Sequence, residues 1–470
     1  MKLTISKNAN INYLSRVVDI RSFVPHPNPE YTKLKMASVG GFNLIVSVDM
    51  EAGEYVYFPA MSELNPHLLS FGNLYRDNTK NANPGKKGFF ENNGRVKVIR
   101  LGGTPSEGFL MPLQQLKDWI KSEVSVDLND VQINIEFDSC EHNGKSFWIS
   151  KKYIPETRIP SDRGEKSNPR NKKLKRFNKL IEGQFNFHYD TVLLRKEPDA
   201  IKPNDLIHIS SKWHGTSMIA SYVCCNLPKT KKERLISKVA KFFGAKEDKL
   251  TKTDSYPEYD YVYSSRSVIK NKNINLDAAD SHFYNEDVWL YGFEHVKPYL
   301  WKGMTVYAEI VGFTSNGSYI QKQYDYGCRA PRGKDDYKEG VNFKVVVYRV
   351  TLTNIDGKVF EFSPHEVQLW CKNCGLTPVT EFYYGYAKDL YPDLPIDDNW
   401  SINFMERMAN DKNFYMEELS PDCHNKVAHE GIVIKKDDMI SRAWKLKAFR
   451  FLEGEQKLLD KNIISIEDVS

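Results

Sequence analysis

The sequence predicts an α+β protein, in which an N-terminal β-barrel or sandwich is joined by a basic linker to a larger domain of antiparallel sheets and helices. Three observations predict it. At 470 residues the chain exceeds what one ordinary core supports, which points to two domains. Hydrophobic residues make up 41% and aromatics 13% against 27% charged, the profile of a folded chain rather than a disordered one. The period of the apolar residues also changes along the chain, from mostly two in the first third to a mixture of two and 3.6 afterwards.

Residues 1–155 carry the first β pattern. "RVVDIRSFV", "FNLIVSVDM", "EYVYFPA" and "RVKVIRLGG" are short β-branched or aromatic runs punctuated by Pro, Gly and Asn. "LQQLKDWIKSEV" is the one clear helical stretch there. Residues 156–179 are expected to be a linker, and Lys166 to Lys179, "KSNPRNKKLKRFNK", holds seven basic residues and no acidic one. Such a run serves either solubility or phosphate contact through counterion release. From 180 to 470, "DLIHISSKWHG", "TVYAEIVGF", "FKVVVYRVTL" and "HEGIVIKK" read as strands. "ERLISKVAKFFG" and "INFMERMAND" read as helices, the first a basic amphipathic helix of the ordinary packed kind.

The net charge of +5 is too small for a uniformly basic surface, so any nucleic-acid affinity has to come from local clusters. No stretch approaches the ~18 consecutive apolar residues of a membrane span, and "MKLTISKNANINYL" lacks the apolar centre of a signal peptide. The expectation is a cytoplasmic protein without membrane contact. Seven cysteines, an odd number in a large chain, fit reduced thiols rather than a disulfide framework. Phosphate-binding GxxxxGK and dinucleotide-binding GxGxxG loops are both missing from the sequence.

The chemistry concentrates around Lys212 in "SSKWHGTSMIASYV". A lysine at the end of an apolar strand is costly to bury unless paired or deprotonated, and lysines in such places serve as nucleophiles once burial or neighbouring charge lowers a pKa of about 10.4. Taken alone, "KWHG" favours a structural lysine. The order of later segments changes that reading: Glu309 in "VYAEIVGF", Tyr348 in "FKVVVYRVT", Glu430 and Lys435 in "HEGIVIKK", and Lys445 and Lys447 in "AWKLKAF". This succession resembles the covalent nucleotidyltransferase superfamily of polynucleotide ligases and capping enzymes. His214 and Gly215, completing KxHG, resemble the RNA ligase branch that includes phage nick-sealing and kinetoplastid editing ligases, and "SYIQKQYDYG" is similar to a segment of that branch. The stretch after Lys447 is too short for an appended oligonucleotide-binding domain, whereas "RVVDIRSFVPHPN", "GGFNLIVS" and "RVKVIRLGG" resemble the N-terminal barrel of OB-first RNA ligases.

The resemblance implies an OB-fold followed by an ATP-grasp-like adenylyltransferase domain. It implies an ATP-dependent RNA ligase that joins 3′-hydroxyl and 5′-phosphate ends through lysyl-AMP and RNA-adenylate. The partners it implies are RNA ends, in nicked duplex RNA or an RNA/DNA hybrid, engaged by a monomer. Lys212 would be the nucleophile. Lys435, Lys445 and Lys447 would face phosphates and lower the pKa of Lys212. Glu430, with Glu309, would hold Mg²⁺ or Mn²⁺. Tyr348 would stack on adenine, with Phe343 as the rival on the same strand. Glu309 and Arg266 would contact ribose or order the site, and His214 would engage phosphate. The alternatives are a GTP-dependent capping-type guanylyltransferase and a catalytically inactive nucleic-acid-binding protein. Deleting residues 1–155 is expected to weaken sealing more than self-adenylation.

One competing motif is "WCKNCGL". Its CxxC, with Cys423, His424 and His429, permits a zinc site to be drawn, but the second half is not a CxxC. "EVQLWCKNCGL" scans instead as a helix ending at Gly375.

Overall fold

The computed structural model describes residues 1–128, 131–155, 180–188, 191–228, 255–270, 284, 286–438 and 442–461. The linker 156–179 and "ERLISKVAKFFG" lie outside the described residues.

The N-terminal part is built on strands β1 (Ser15–Ile20), β2 (Leu34–Val39), β3 (Phe42–Ser47), β4 (Gly53–Pro59) and β5 (Gly108–Pro112), followed by helix α1 (Leu113–Val124). An antiparallel sheet runs in the order β5, β4, β1 and the short strand Glu136–Phe137. The β2–β3 hairpin, extended by Val24–Pro25, belongs to a separate sheet. Among the described residues the ladders form separate sheets rather than the closed barrel expected. Side chains join them instead: Val18, Ile20, Ala37, Leu44, Tyr55, Tyr57 and Leu110 share one core. "RVKVIRLGG" is a strand only over Ile99–Leu101. Upstream, the Val98 N–H goes to the Gln456 side chain at 2.7 Å, and Arg95 and Lys97 turn to Asp460, so these groups serve a contact with the C-terminal helix.

The second part holds two larger sheets. Strands β6 (Val192–Leu193), β7 (Leu206–Ser211), β8 (Thr216–Pro228) and β9 (Ser255–Ser264) precede helix α2 (Val288–Val296). Strands β10 (Met304–Gly312), β11 (Phe343–Thr353) and β12 (Val359–Glu361) follow, then helix α3 (Pro364–Cys374), strand β13 (Glu381–Tyr386) and helix α4 (Trp400–Ala409). Strands β14 (Gly431–Lys436) and β15 (Arg442–Lys447) lead into helix α5 (Phe449–Asp460). One sheet has the order β6, β15, β14, β7, β13, all antiparallel except the β6–β15 edge. The other has the order β9, β8, β10, β11, β12.

Period-two alternation decides which side chains meet. Ile207, Ile209, Ile432, Ile434, Trp444 and Leu446 point one way, into a core shared with Trp400, Phe404 and Met405 of α4. Met218, Ala220, Val306, Ala308, Ile310, Val345 and Val347 point into a second core with α2 and α3. The intervening positions therefore face the space between the sheets: Lys435, Lys445 and Lys447 from one, Glu309 and Tyr348 from the other. Helix α3 starts on a Ser363–Glu366 capping box with Pro364 at its first position and stops at Gly375 in the left-handed conformation (φ 68°), as its sequence predicts. No helix among the described residues is long and apolar enough to cross a membrane.

Candidate active site

Lys212 lies just past the end of β7, where the chain leaves one sheet to enter the other as β8. Three bonds pin that turn. The Lys212 N–H donates to Gly431 O (2.9 Å), the His214 N–H to the Tyr326 hydroxyl (2.5 Å), and the Gln321 amide to Gly215 O (2.8 Å). Trp213 stacks on Tyr326 with ring centroids 4.6 Å apart, and the Trp289 indole N–H holds Ser217 O at 3.0 Å. "SYIQKQYDYG" thus supplies Gln321, Tyr324 and Tyr326 as the mould of the turn, a role its sequence alone did not disclose. Two glycines are required by space. A Cβ on Gly215 would meet Ile310 O at 2.5 Å and Val311 Cγ1 at 2.7 Å. One on Gly431, itself at φ 134°, would meet Leu446 O at 2.2 Å.

The Lys212 side chain is 16% exposed, and its Nζ lies 2.7 Å from Glu430 Oε1. Lys447 Nζ is 3.3 Å from the same oxygen and 3.4 Å from Glu455 of α5, while His214 Nδ1 is 3.7 Å from Glu430 Oε2. Glu430 is fully buried, and Lys212 and Lys447 beside it offset its charge. The cluster opens into a cavity of about 940 Å³ lined by Lys212, His214, Ser217, Arg266, Glu309, Lys445 and Lys447 on one side, and by Asn10, Tyr13, Met61 and Lys152 of the N-terminal part on another.

The structure thus gathers Lys212, His214, Gly215, Glu430 and Lys447 in one cluster, and places Arg266, Glu309 and Lys445 on the same cavity wall. It sets two expected residues apart. Lys435 does not line the cavity: its Nζ is held 2.7 Å from Glu361, which also takes Arg349 at 2.8 Å, a part-buried triad tying the two sheets together. Tyr348, half-buried, is not among the residues lining the cavity but touches two that are, its hydroxyl 3.5 Å from Ser217 Oγ and its ring edge-on to His188 at 5.2 Å. Burial, followed by the nearby Glu309 charge, raises its pKa above the usual tyrosine value. Phe343, the rival, is a core residue stacked on Tyr337 at 4.7 Å.

His188 lines the cavity and carries no motif that could have marked it. Its pKa is pushed down to about 3, first by burial and then by the positive charge of Arg349, Arg266, Lys445 and Lys212. That concentration of cations suits a polyphosphate ligand, and the cavity is large enough for a nucleotide. Among the described residues no group of three or more His, Cys, Asp or Glu side chains converges on a point. A divalent ion would therefore take Glu309 or Glu430 together with ligand phosphates and water, the usual manner of Mg²⁺. The cysteines of the zinc site the sequence allows sit apart: Cys371 and Cys374 of the CxxC belong to the α3 core, where burial lifts the Cys371 thiol pKa to about 12, while Cys423 packs against the other core.

Comparison of the sequence with protein-family models and with curated proteins returns no match. Comparison with solved structures does. A lysine-to-alanine variant of Naegleria gruberi RNA ligase with ATP and Mn is similar at a TM-score of 0.50 and 13% identity, with 97% of this chain and 99% of that chain covered. Two unliganded variants of the Naegleria gruberi enzyme, one lysine-to-alanine and one aspartate-to-alanine, also give 0.50 and 13%. They cover 94% of this chain and 98% of that one, and 95% and 99%, respectively. Along nearly its whole length, the chain has the fold of an RNA ligase.

Proposed function

We propose that this chain is an ATP-dependent RNA ligase that forms a covalent adenylate on Lys212 and seals 3′-hydroxyl and 5′-phosphate RNA ends, at nicks in a duplex. The observation that carries the reading is the Lys212–Glu430–Lys447 cluster, whose two lysines line a cavity large enough for a nucleotide and walled by further cations. In the first step Lys212 Nζ forms a bond to the α-phosphorus of ATP and the bond to pyrophosphate breaks. The ammonium proton has an acceptor 2.7 Å away in Glu430. Lys445, Lys447 and Arg266 offset the charge that moves onto the phosphate oxygens. Mg²⁺ or Mn²⁺ carried on the phosphates would add charge neutralisation there, with Glu430 and Glu309 as its protein ligands. AMP then passes to an RNA 5′-phosphate, and the 3′-hydroxyl displaces it as the phosphodiester forms.

The N-terminal part, read as an OB-like module with boundaries near 1–155, walls the cavity with Tyr13 and Lys152, where a polynucleotide end would enter. KxHG and the N-terminal placement of this module support the OB-first branch. The test is covalent labelling with α-labelled ATP and GTP in parallel, on wild type and Lys212→Ala. Label from ATP alone, lost in the variant, is the expected result. Label from GTP alone would make the chain a guanylyltransferase, and no label from either would leave a binding protein.

A further inference from the structure

We propose that Ser211 and His429 are positioning residues, whose mutual hydrogen bond sets Lys212 against Glu430 for attack on the nucleotide. The inference rests on the ligase reading above and assigns two residues that its motifs do not contain. Each stands one place before a member of the reacting pair, and neither lines the cavity. Ser211 Oγ lies 3.0 Å from His429 Nε2 and donates to Asp422 Oδ2 at 3.4 Å, so the hydrogen between serine and imidazole is carried by the ring. His429, which the sequence allows to be drawn into a zinc site, is thereby engaged in a different contact.

The place of this bond in the fold gives it that role. Ser211 and His429 are both 2% exposed, and the rings of Phe382 and Tyr415 stand edge-on to the imidazole at 6.0 and 6.2 Å. A hydroxyl and an imidazole are costly to bury unless they bond to each other. The β7–β14 ladder ends here: Ser211 pairs with Ile432, and the Lys212 N–H donates to Gly431 O at 2.9 Å. Beyond that point the backbones part, Glu430 O accepting from the Ala448 N–H at 3.0 Å and the His429 N–H donating to Glu418 O at 3.1 Å. The side-chain bond therefore carries the pairing of the two strands one step past the ladder, behind the nucleophile. Its far end is fixed as well. Asp422 leads into His424 and Asn425, whose N–H groups donate to Asp325 at 2.8 and 2.9 Å, next to the Tyr326 that holds the His214 N–H.

A reacting group displaced by about 1 Å loses on the order of 10²-fold in rate, so loss of the bond is read in the rate of attack rather than in ATP affinity. The experiment compares wild type, Ser211→Ala, His429→Phe, His429→Gln and the Ser211→Ala/His429→Phe double variant. Four quantities are measured: direct ATP binding, self-adenylation at saturating ATP, sealing of an RNA nick whose 5′ end is already adenylated, and the melting temperature. Ser211→Ala and His429→Phe are each expected to slow self-adenylation at least tenfold. Kd for ATP and sealing of the adenylated nick, which needs no attack by Lys212, should stay within threefold of wild type. The double variant should be no slower than the slower single one. His429→Gln, whose amide nitrogen can stand in for Nε2, should label within threefold of wild type. If His429→Phe does not fold, Ser211→Ala against His429→Gln carries the same distinction. Single variants that label within threefold of wild type, losses that multiply in the double variant, no rescue by Gln, or an equal loss in sealing the adenylated nick would each overturn the positioning role alone. Wild type that takes no label overturns the ligase reading and this inference with it.

Discussion

At the residue scale, charge and space account for the cluster around Lys212. Glu430 is buried and shared by Lys212 and Lys447, so neutralising it removes the counter-charge the two ammonium groups have in common and leaves Glu455 beside Lys447 alone. Glu430→Gln is therefore expected to cut self-adenylation at least 100-fold while the protein stays folded; a variant within threefold of wild type would remove Glu430 from the reaction. Gly215 has no room for a methyl group between its backbone and Ile310 O. Gly215→Ala should cost ~1–3 kcal/mol of stability through overpacking, read as a lowered Tm, and displace Lys212 with it. His188 adds a pH dependence. Its pKa is about 3 in the folded chain and about 6.5 when unfolded, so below pH 6.5 the unfolded state binds the extra proton. Stability is then lost as pH falls from 6.5 towards 3, by up to about 1.4 kcal/mol per pH unit from this group. Denaturant midpoints of wild type and His188→Phe between pH 4 and 7 check this, the variant being expected to show the shallower slope.

At the element scale, alternation in the strands made much of the site legible. In "GIVIKK" and "RAWKLK" the apolar Ile432, Ile434, Trp444 and Leu446 alternate with Lys435, Lys445 and Lys447, so both strands had to present lysine opposite a core face. The same logic set Glu309 and Tyr348 opposite Ala308 and Val347. What alternation could not tell is how far along the cleft each side chain lies. Lys435 shares a face with Lys445 and Lys447 but sits nearer the end where Glu361 claims it. Long-range contacts were also hidden. Helix α5 directs Glu455 at Lys447 and sets Phe451 5.1 Å from the His214 ring and 4.9 Å from Lys447 Nζ. Its first N–H groups, on Phe449 and Arg450, donate to Glu417, which also pairs with Arg100 at 3.0 Å. Glu417→Ala removes a helix cap worth ~1 kcal/mol and should slow self-adenylation several-fold at saturating ATP. An unchanged rate would mean that α5 does not position Lys447.

At the scale of the whole molecule, the N-terminal part is fastened to the second part at two places. Arg95 and Lys97 meet Asp460, Val98 meets Gln456, and Arg100 bridges Glu417 and Glu453, all along α5 or the loop that caps it. On the other flank Arg195 donates to Gly41 O, and the Asn12 side chain bonds Thr191 O and the Leu193 N–H. The sequence divided the chain near residue 155 but carried no trace of this clasp, because its partners are some 350 residues apart. The clasp revises the expected effect of removing residues 1–155. Besides weakening sealing, the deletion should lower self-adenylation at least tenfold, since α5 loses Arg100, Val98 and Arg95 together. Self-adenylation within twofold of the full chain, measured on a folded truncation, would show that the clasp does not reach the site.

The most direct test of the central claim is the site of the covalent label. Wild type incubated with ATP and Mg²⁺ or Mn²⁺, digested and mapped by mass spectrometry, is predicted to carry one AMP on the peptide containing Lys212, and Lys212→Ala none. AMP on any other residue, or an undiminished label in Lys212→Ala, would contradict the account.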